Sequence, residues 1–325
     1  TSGVIGFFAD GASGNVAPLR SIVPGTANPI NTANFIEFES GENVLYVSDF
    51  WGQAIRVYDA RASGNAVPLR TMNSPSLGQP RTVRIDRAHD EMVAIASNCC
   101  VFTWPRLADG AGVNTIRRIL WGGNTSSQLN NPVGLALNRQ RGEIVVGDYK
   151  NDSGAGYPNR IFVFSRLADG PGAAPLRVIE GPNTQLGGRS NVRVAVDEET
   201  QTIFALVGPL EGDLNNSARV LAFAADANGD ATPLRVIFGP FASLVMATGE
   251  YPSGLGFDES SGHLLVSIAN TNPDARGRIV VHSKNAFGSA FPLAVLQGPD
   301  TGITSTPGSA VVTFDRIFKN GFDGY

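Results

Sequence analysis

Pro175-Leu176-Arg177-Val178-Ile179 is one copy of a phrase that recurs along the chain and decides its fold. The other copies are Pro18-Leu19-Arg20, Pro68-Leu69-Arg70, the degenerate Thr115-Ile116-Arg117, Pro233-Leu234-Arg235 and Pro292-Leu293-Ala294. Six copies spaced by 50, 47, 60, 58 and 59 residues are too widely set for helical solenoid repeats and suit a four-stranded propeller blade with loops of variable length. Around the quoted copy, four apolar runs with period-two alternation predict the strands of one blade: Val133 to Leu137, Glu143 to Val146, Arg160 to Phe164 and Leu176 to Ile179. Equivalent first runs at Phe35 to Phe38, Thr82 to Ile85, Val192 to Val196, Gly254 to Phe257 and Ala310 to Phe314 keep the same register.

The expected fold class is therefore all-β, a single six-bladed propeller of four-stranded antiparallel blades over residues 1–325. Five blades span about 34–73, 81–121, 132–181, 191–239 and 252–298. The chain begins with third- and fourth-type strands and ends with a first-type strand. Residues 3–23 and 309–318 are thus expected to share a closing blade, which removes open sheet edges.

Composition agrees with a turn-rich core former: 42% apolar, 17% charged, with 38 Gly and 20 Pro. A net charge of −4 gives no electrostatic reason to expect nucleic acid or an anionic membrane surface. No stretch approaches the roughly 20 apolar residues of a membrane helix. The opening at Thr1 reads as a mature form after loss of a signal peptide, so a secreted protein, extracellular or periplasmic, is expected.

The repeats resemble NHL-type six-bladed propellers of secreted bacterial proteins. Pro132-Val133-Gly134-Leu135-Ala136-Leu137-Asn138, Val146-Gly147-Asp148 and Arg160-Ile161-Phe162-Val163-Phe164 carry the resemblance. Pro252 to Asp258 and Val47-Ser48-Asp49 repeat parts of it. The resemblance implies a fold only, because the family's functions are diverse. The stretch Asp315 to Asp323 also resembles a tail of assorted secreted proteins from Gram-negative bacteria, although the second strand of the closing blade is the preferred reading.

In this strand order the fourth-to-first and second-to-third connections share one face of the disc, and the two hairpin types share the other. The hairpin-face turns, such as Asp10 to Asn15 and Ala168 to Gly172, repeat because tight turns need Gly at positive φ. The loop face is variable and gathers Phe50, Trp51, Trp121, Tyr149, Tyr157, Phe241 and Tyr251 beside Asp49, Asp148 and Asp152. Aromatic and polar residues on one rim make a binding platform, and Trp51, Trp121, Tyr149, Tyr157, Tyr251, Asp49 and Asp148 are its candidate residues. The simpler reading of both aspartates is turn formation.

Some six-bladed propellers of the gluconolactonase and paraoxonase type hydrolyse lactones or esters with a calcium ion near the channel. Such an ion needs several converging oxygen ligands. Before the innermost strands this chain offers Asn34, Arg81, Val133, Val192, Ser253 and Ala310, a poor set. Asp226-Ala227-Asn228-Gly229-Asp230 resembles part of a calcium loop but lacks the downstream Glu. No cofactor is expected, with calcium kept open. His89, His263 and His282 sit in separate repeats and assemble no Ser-His site.

Glu37 and Arg84 occupy central positions of neighbouring innermost strands, as an ion pair or as contacts for a ligand in the channel. Cys99 and Cys100, at a turn of the second blade, are either joined in a vicinal disulfide or separate thiols. The leading functional expectation is a non-catalytic recognition or scaffold protein that takes a protein, peptide or glycan partner. A calcium-dependent lactonase-like hydrolase and a homopolymer forming a fibre or layer are the alternatives.

Overall fold

The computed structural model describes residues 3–23, 25, 30–96, 99–111, 115–123, 125–149, 159–187, 191–210, 212–272 and 274–303. Strands β1 (Ile5–Phe7) and β2 (Arg20–Ile22) form a two-stranded sheet. Blade 1 follows, with β3 (Ala33–Glu39), β4 (Val44–Asp49), β5 (Ala54–Asp59) and β6 (Arg70–Met72). Blade 2 holds β7 (Val83–Asp86), β8 (Glu91–Ala96), β9 (Cys100–Pro105) and β10 (Arg118–Leu120). Blade 3 holds β11 (Pro132–Asn138), β12 (Glu143–Asp148), β13 (Arg160–Ser165) and β14 (Arg177–Ile179). Blade 4 holds β15 (Arg193–Asp197), β16 (Thr202–Val207), β17 (Arg219–Ala224) and β18 (Arg235–Ile237). Blade 5 holds β19 (Glu250–Asp258), β20 (His263–Asn270), β21 (Arg278–Ser283) and β22 (Ala294–Leu296).

Each blade is a sequential antiparallel meander, so the molecule is an all-β propeller with five four-stranded blades among the described residues. The inner strands expected at 309–318 lie outside the described residues, as does the tail at Asp315 to Asp323. No helix among the described residues is long and apolar enough to cross a membrane.

Second strands such as β4, β12 and β16 are buried at every position, because a blade is covered on both faces by its neighbours. The core is accordingly divided among the junctions. Tyr46, Ile55 and Met72 of blade 1 meet Met92, Phe102 and Trp104 of blade 2. Ile5, Phe7 and Ile22 meet Ile36, Leu45 and Tyr58 in the same way. Each such fully buried large side chain contributes about 1.5–3 kcal/mol.

The repeated phrases are the clasps between these layers. A glycine in each third-to-fourth-strand hairpin bridges the outer strand of the preceding blade, as in Ile22 with Gly64, Met72 with Gly110, Leu120 with Gly170, Ile179 with Gly229 and Ile237 with Gly288. Gly170 and its equivalents have φ near +60 to +78° with open space where a Cβ would stand, so backbone conformation alone explains the glycine. The residue before it clasps as well, since Asp109, Asp169 and Asn228 accept the backbone N–H of Thr71, Ile119 and Val178 at 2.9, 2.9 and 3.1 Å. The repeated arginine reaches the other way, Arg177 to the Ala225 carbonyl at 2.8 Å and Arg235 to that of Lys284 at 3.1 Å.

One copy shifts by a residue. Pairing of Arg118 with Thr103 makes Ile116-Arg117-Arg118 the equivalent of Pro-Leu-Arg in blade 2, and not Thr115-Ile116-Arg117. Arg118 then pairs with Glu91 at 2.5 Å as Arg177 pairs with Glu143 at 2.9 Å. The N-terminal sheet also joins the far end of the chain, because Gly14 bridges Leu296 of blade 5 just as its equivalents bridge their own neighbours.

Candidate functional site

The loop face is built from second-to-third-strand turns locked onto the connections that enter each blade. Asp49, at the end of β4, accepts the N–H groups of Asn31 and Thr32 at 2.9 Å each and of Gly52 at 3.1 Å, and pairs with Arg56 at 3.0 Å. Asp148, at the end of β12, accepts Asn130 and Asn131 at 3.0 and 2.8 Å and meets Arg160 at 3.4 Å. Burial pushes the Asp148 carboxyl above its ordinary range, against the pull of these amides and of Arg160. Both aspartates are fully buried, which corrects their expected place among ligand contacts. They fix the loops.

Of the aromatic candidates, Trp51 is 65% exposed and meets Phe50 edge-on, with ring centroids 5.1 Å apart. Trp121 is 43% exposed, and its carbonyl accepts Thr125 Oγ1 at 2.7 Å and also Ser127 Oγ. Tyr149 and Tyr251 are half-buried, and Tyr157 lies outside the described residues. Asp152 lies outside them too.

Cys99 and Cys100 are joined in a vicinal disulfide at the turn before β9. A Cβ on Gly122 would stand 2.0 Å from the Cys99 carbonyl oxygen, so the connection carrying Trp121 packs directly on the disulfide turn. That contact places the bridge in the loop-face architecture.

The first strands bring a second set together at the loop-face mouth of the channel. Bulges between Ala33 and Phe35, Pro132 and Gly134, and Pro252 and Gly254 interrupt the register where β3, β11 and β19 begin. At the bulge in blade 3 the Val133 carbonyl accepts Thr82 Oγ1 from blade 2 at 3.0 Å and Arg193 Nη1 from blade 4 at 2.6 Å. The Arg81 guanidinium carbon lies 5.7 Å from the centre of the Phe50 ring. Burial and the neighbouring Arg81 charge lower the Arg193 pKa to about 10, while burial raises that of Tyr251. Arg193 was not a sequence candidate.

Halfway down, Arg84 pairs with Glu37 at 2.7 Å, donates to the Leu135 carbonyl at 2.9 Å and lies over the Phe35 ring. One side chain thus ties three blades across the channel. Below the pair, a cavity of about 430 Å³ opens on the hairpin face, lined by Glu37, Glu39, Arg87, Arg139 and Glu198 among others. Among its charges Arg87 pairs with Glu39 and Arg139 with Glu198, each at 2.8 Å. Burial opposes charge on Arg139, yet Glu37, Glu198 and Glu259 raise its pKa. Sequence reasoning named Glu37 and Arg84 of the channel but not the funnel below them, because a funnel formed by five hairpins leaves no mark in any one repeat.

Among the described residues no group of three His, Cys, Asp or Glu side chains stands together as a metal set. Asp230 of the calcium-like loop instead accepts the Asn183 N–H and Nδ2, each at 2.7 Å, as an interblade clasp. His282 is buried in β21 with Nε2 donating to the Ala242 carbonyl at 3.0 Å.

No protein-family model and no curated protein matches the chain. Among solved structures it is similar to Kuenenia stuttgartiensis hydrazine synthase, with a TM-score of 0.50 and 10% identity over 78% of this chain and 63% of that one. The chain therefore spans less than two thirds of that chain's length, and at such identity the likeness is one of propeller fold alone.

Proposed function

We propose that this is a non-catalytic extracellular binding propeller of the NHL-like type, six-bladed once residues 309–318 add inner strands to β1 and β2. It recognises a glycan, peptide or protein through the loop face. The observation that carries this reading is Trp51, exposed on a turn whose buried neighbour Asp49 is bonded to three backbone amides. A rigidly held, exposed indole offers contact area at little entropic cost. Loops on a rigid scaffold are the usual seat of recognition. The test is a glycan and peptide array probed with the intact protein, beside a lactone and ester hydrolysis assay with and without added calcium. Specific binding without turnover supports the reading. Calcium-dependent hydrolysis would replace it with the lactonase-like one.

A second reading, self-association into a fibre or layer, is favoured by the outer strands. Leu19, Leu69, Leu176, Leu234 and Leu293 recur there at 55–61% exposure, an apolar ring at the disc's circumference. Sizing chromatography and electron microscopy distinguish a monomer from a polymer.

A further inference from the structure

We propose that the rim of the disc at the junction of blades 4 and 5 is a self-association surface, where Phe238, Phe241, Phe287 and Phe291 meet the same residues of a second copy across a twofold axis. The inference rests on the self-association reading and narrows it to one contact that closes at two copies.

The argument begins with the clasp that other junctions share. The residue before the bridging glycine is polar there: Asp109, Asp169 and Asn228 each accept a backbone N–H of the preceding blade, and Ser13 accepts that of Val295 at 3.2 Å. In blade 5 the same place, before Gly288, holds Phe287, whose ring offers no such acceptor to the equivalent N–H of Val236. Where Asn183 meets Asp230 and Asp300 meets Asn15 through their side chains, this junction has Phe241 and Ser289. The backbone half of the clasp survives, since Ser289 Oγ accepts the Phe241 N–H at 3.0 Å. Phe291 stands where Ala17, Val67, Ala174 and Thr232 precede their Pro-Leu pairs, and Phe238 where Glu180 and Gln297 follow their outer strands. One junction has thus exchanged polar or smaller residues for four phenylalanines. Burial does not explain them, because Phe287 and Phe291 are 72% and 76% exposed and Phe241 and Phe238 are 59% and 38% exposed. Single apolar residues on a surface are ordinary, but a cluster of large ones marks a contact.

Area and charge select the occupant. A fully exposed ring presents roughly 200 Å², so at these exposures the four rings leave about 500 Å² per copy, and two copies bring together about 1,000 Å². That reaches the lower bound of a specific interface before the flanking Leu234 and Leu293 are counted, and it suits a reversible dimer. From Val236 to Gly249 and from Asn285 to Pro299 no residue is charged, in a chain of net charge −4. A neutral patch selects no oppositely charged partner, and it adds no repulsion between two copies that carry the same net charge. Phenyl rings are complemented by phenyl rings, and Phe241 and Phe291 already meet with centroids 5.3 Å apart. A twofold contact uses one patch on both copies, so a surface of like rings is self-complementary.

Sedimentation velocity of the intact protein, from low to high micromolar concentration, tests the inference. The chain should pass from monomer to dimer. Phe287→Asp gives blade 5 the acid that blades 2 and 3 carry, and should weaken the dimer by roughly tenfold or more with the melting temperature held. Phe291→Thr, which copies Thr232, should also weaken it and serves as the second variant if Phe287→Asp does not fold. Leu69→Ser, on the rim of blade 1, should leave the dimer unchanged. A monomer at every concentration, a dimer indifferent to both phenylalanine substitutions, or equal weakening by Leu69→Ser would overturn the proposal. So would a monomer that cosediments with phosphatidylcholine vesicles and loses them in Phe287→Asp, since a lipid surface would then be the occupant. If assemblies larger than a dimer form and ignore both phenylalanine substitutions, the self-association reading stands and this inference falls.

Discussion

Asn15 and Asp300, 285 residues apart, hold each other by two hydrogen bonds of 2.8 Å, Asn15 Nδ2 to a carboxylate oxygen and the Asp300 N–H to Asn15 Oδ1. The pair copies, with the acid and amide exchanged, the clasp of Asp230 and Asn183 between blades 3 and 4. In both, a glycine, Gly298 or Gly181, leaves room where a Cβ would collide with the partner at 2.3–2.4 Å. The N-terminal sheet therefore occupies a sector equivalent to a blade. Asn15→Ala should lower unfolding stability by about 1 kcal/mol, since exposed hydrogen bonds are each worth little. Removal of residues 1–23 should abolish a single cooperative urea transition; an unchanged transition would mean that these strands do not support the ring.

Asp49→Ala should destabilise the protein by about 3–5 kcal/mol, because it strands buried Arg56 and three amides together. Trp51→Ala should change stability by less than about 0.5 kcal/mol, as expected of an exposed side chain. Denaturant titration of the two variants separates the residue that builds the loop from the residue the loop presents.

Acid should weaken the fold in two windows. Burial lowers the His282 pKa below its ordinary 6.5, only partly offset by the Ala242 carbonyl. The unfolded chain thus takes up this proton first, and the contribution present above pH 6.5 declines as pH falls below it. Asp197 is desolvated, yet Thr200 and Lys284 hold its carboxyl below the ordinary 3.8, so its contribution is lost only at still lower pH. His282→Gln should flatten the upper window of a melting-temperature profile and leave the lower one. A profile unchanged by the substitution would remove His282 from the account.

Mass spectrometry of the non-reduced protein should find the Cys99-Cys100 peptide two hydrogens lighter than the dithiol. Because the disulfide turn packs on Gly122, reduction should also alter Trp121 fluorescence. Alkylation of both thiols without reductant would contradict the bridge.

The blades were legible because Pro-Leu-Arg and the Asx-Gly turns are clasp chemistry repeated at every junction, and a repeated physical demand writes a repeated sequence. The copy in blade 2 was misplaced by one residue because Arg117 and Arg118 are adjacent, and only pairing with β9 tells them apart. Asp49 and Asp148 were legible as turn formers, but their inward direction is a property of folded loops. Arg193 was invisible for a further reason. Among the described residues no ion pair includes it, and the groups around it come from blades 2, 3 and 5.

The central claim, that recognition lies on the loop face, is tested most directly by the affinity of one array-identified partner for four forms of the protein: unaltered, Trp51→Ala, Trp121→Ala and Gly170→Ala. The account predicts a loss of more than about 1 kcal/mol for either tryptophan with the melting temperature held. For Gly170→Ala it predicts a lower melting temperature and unchanged affinity, since its φ of +76° strains any other residue. Unchanged affinity for both tryptophan variants, with binding abolished in a folded Gly170→Ala, would place the site on the hairpin face and contradict it.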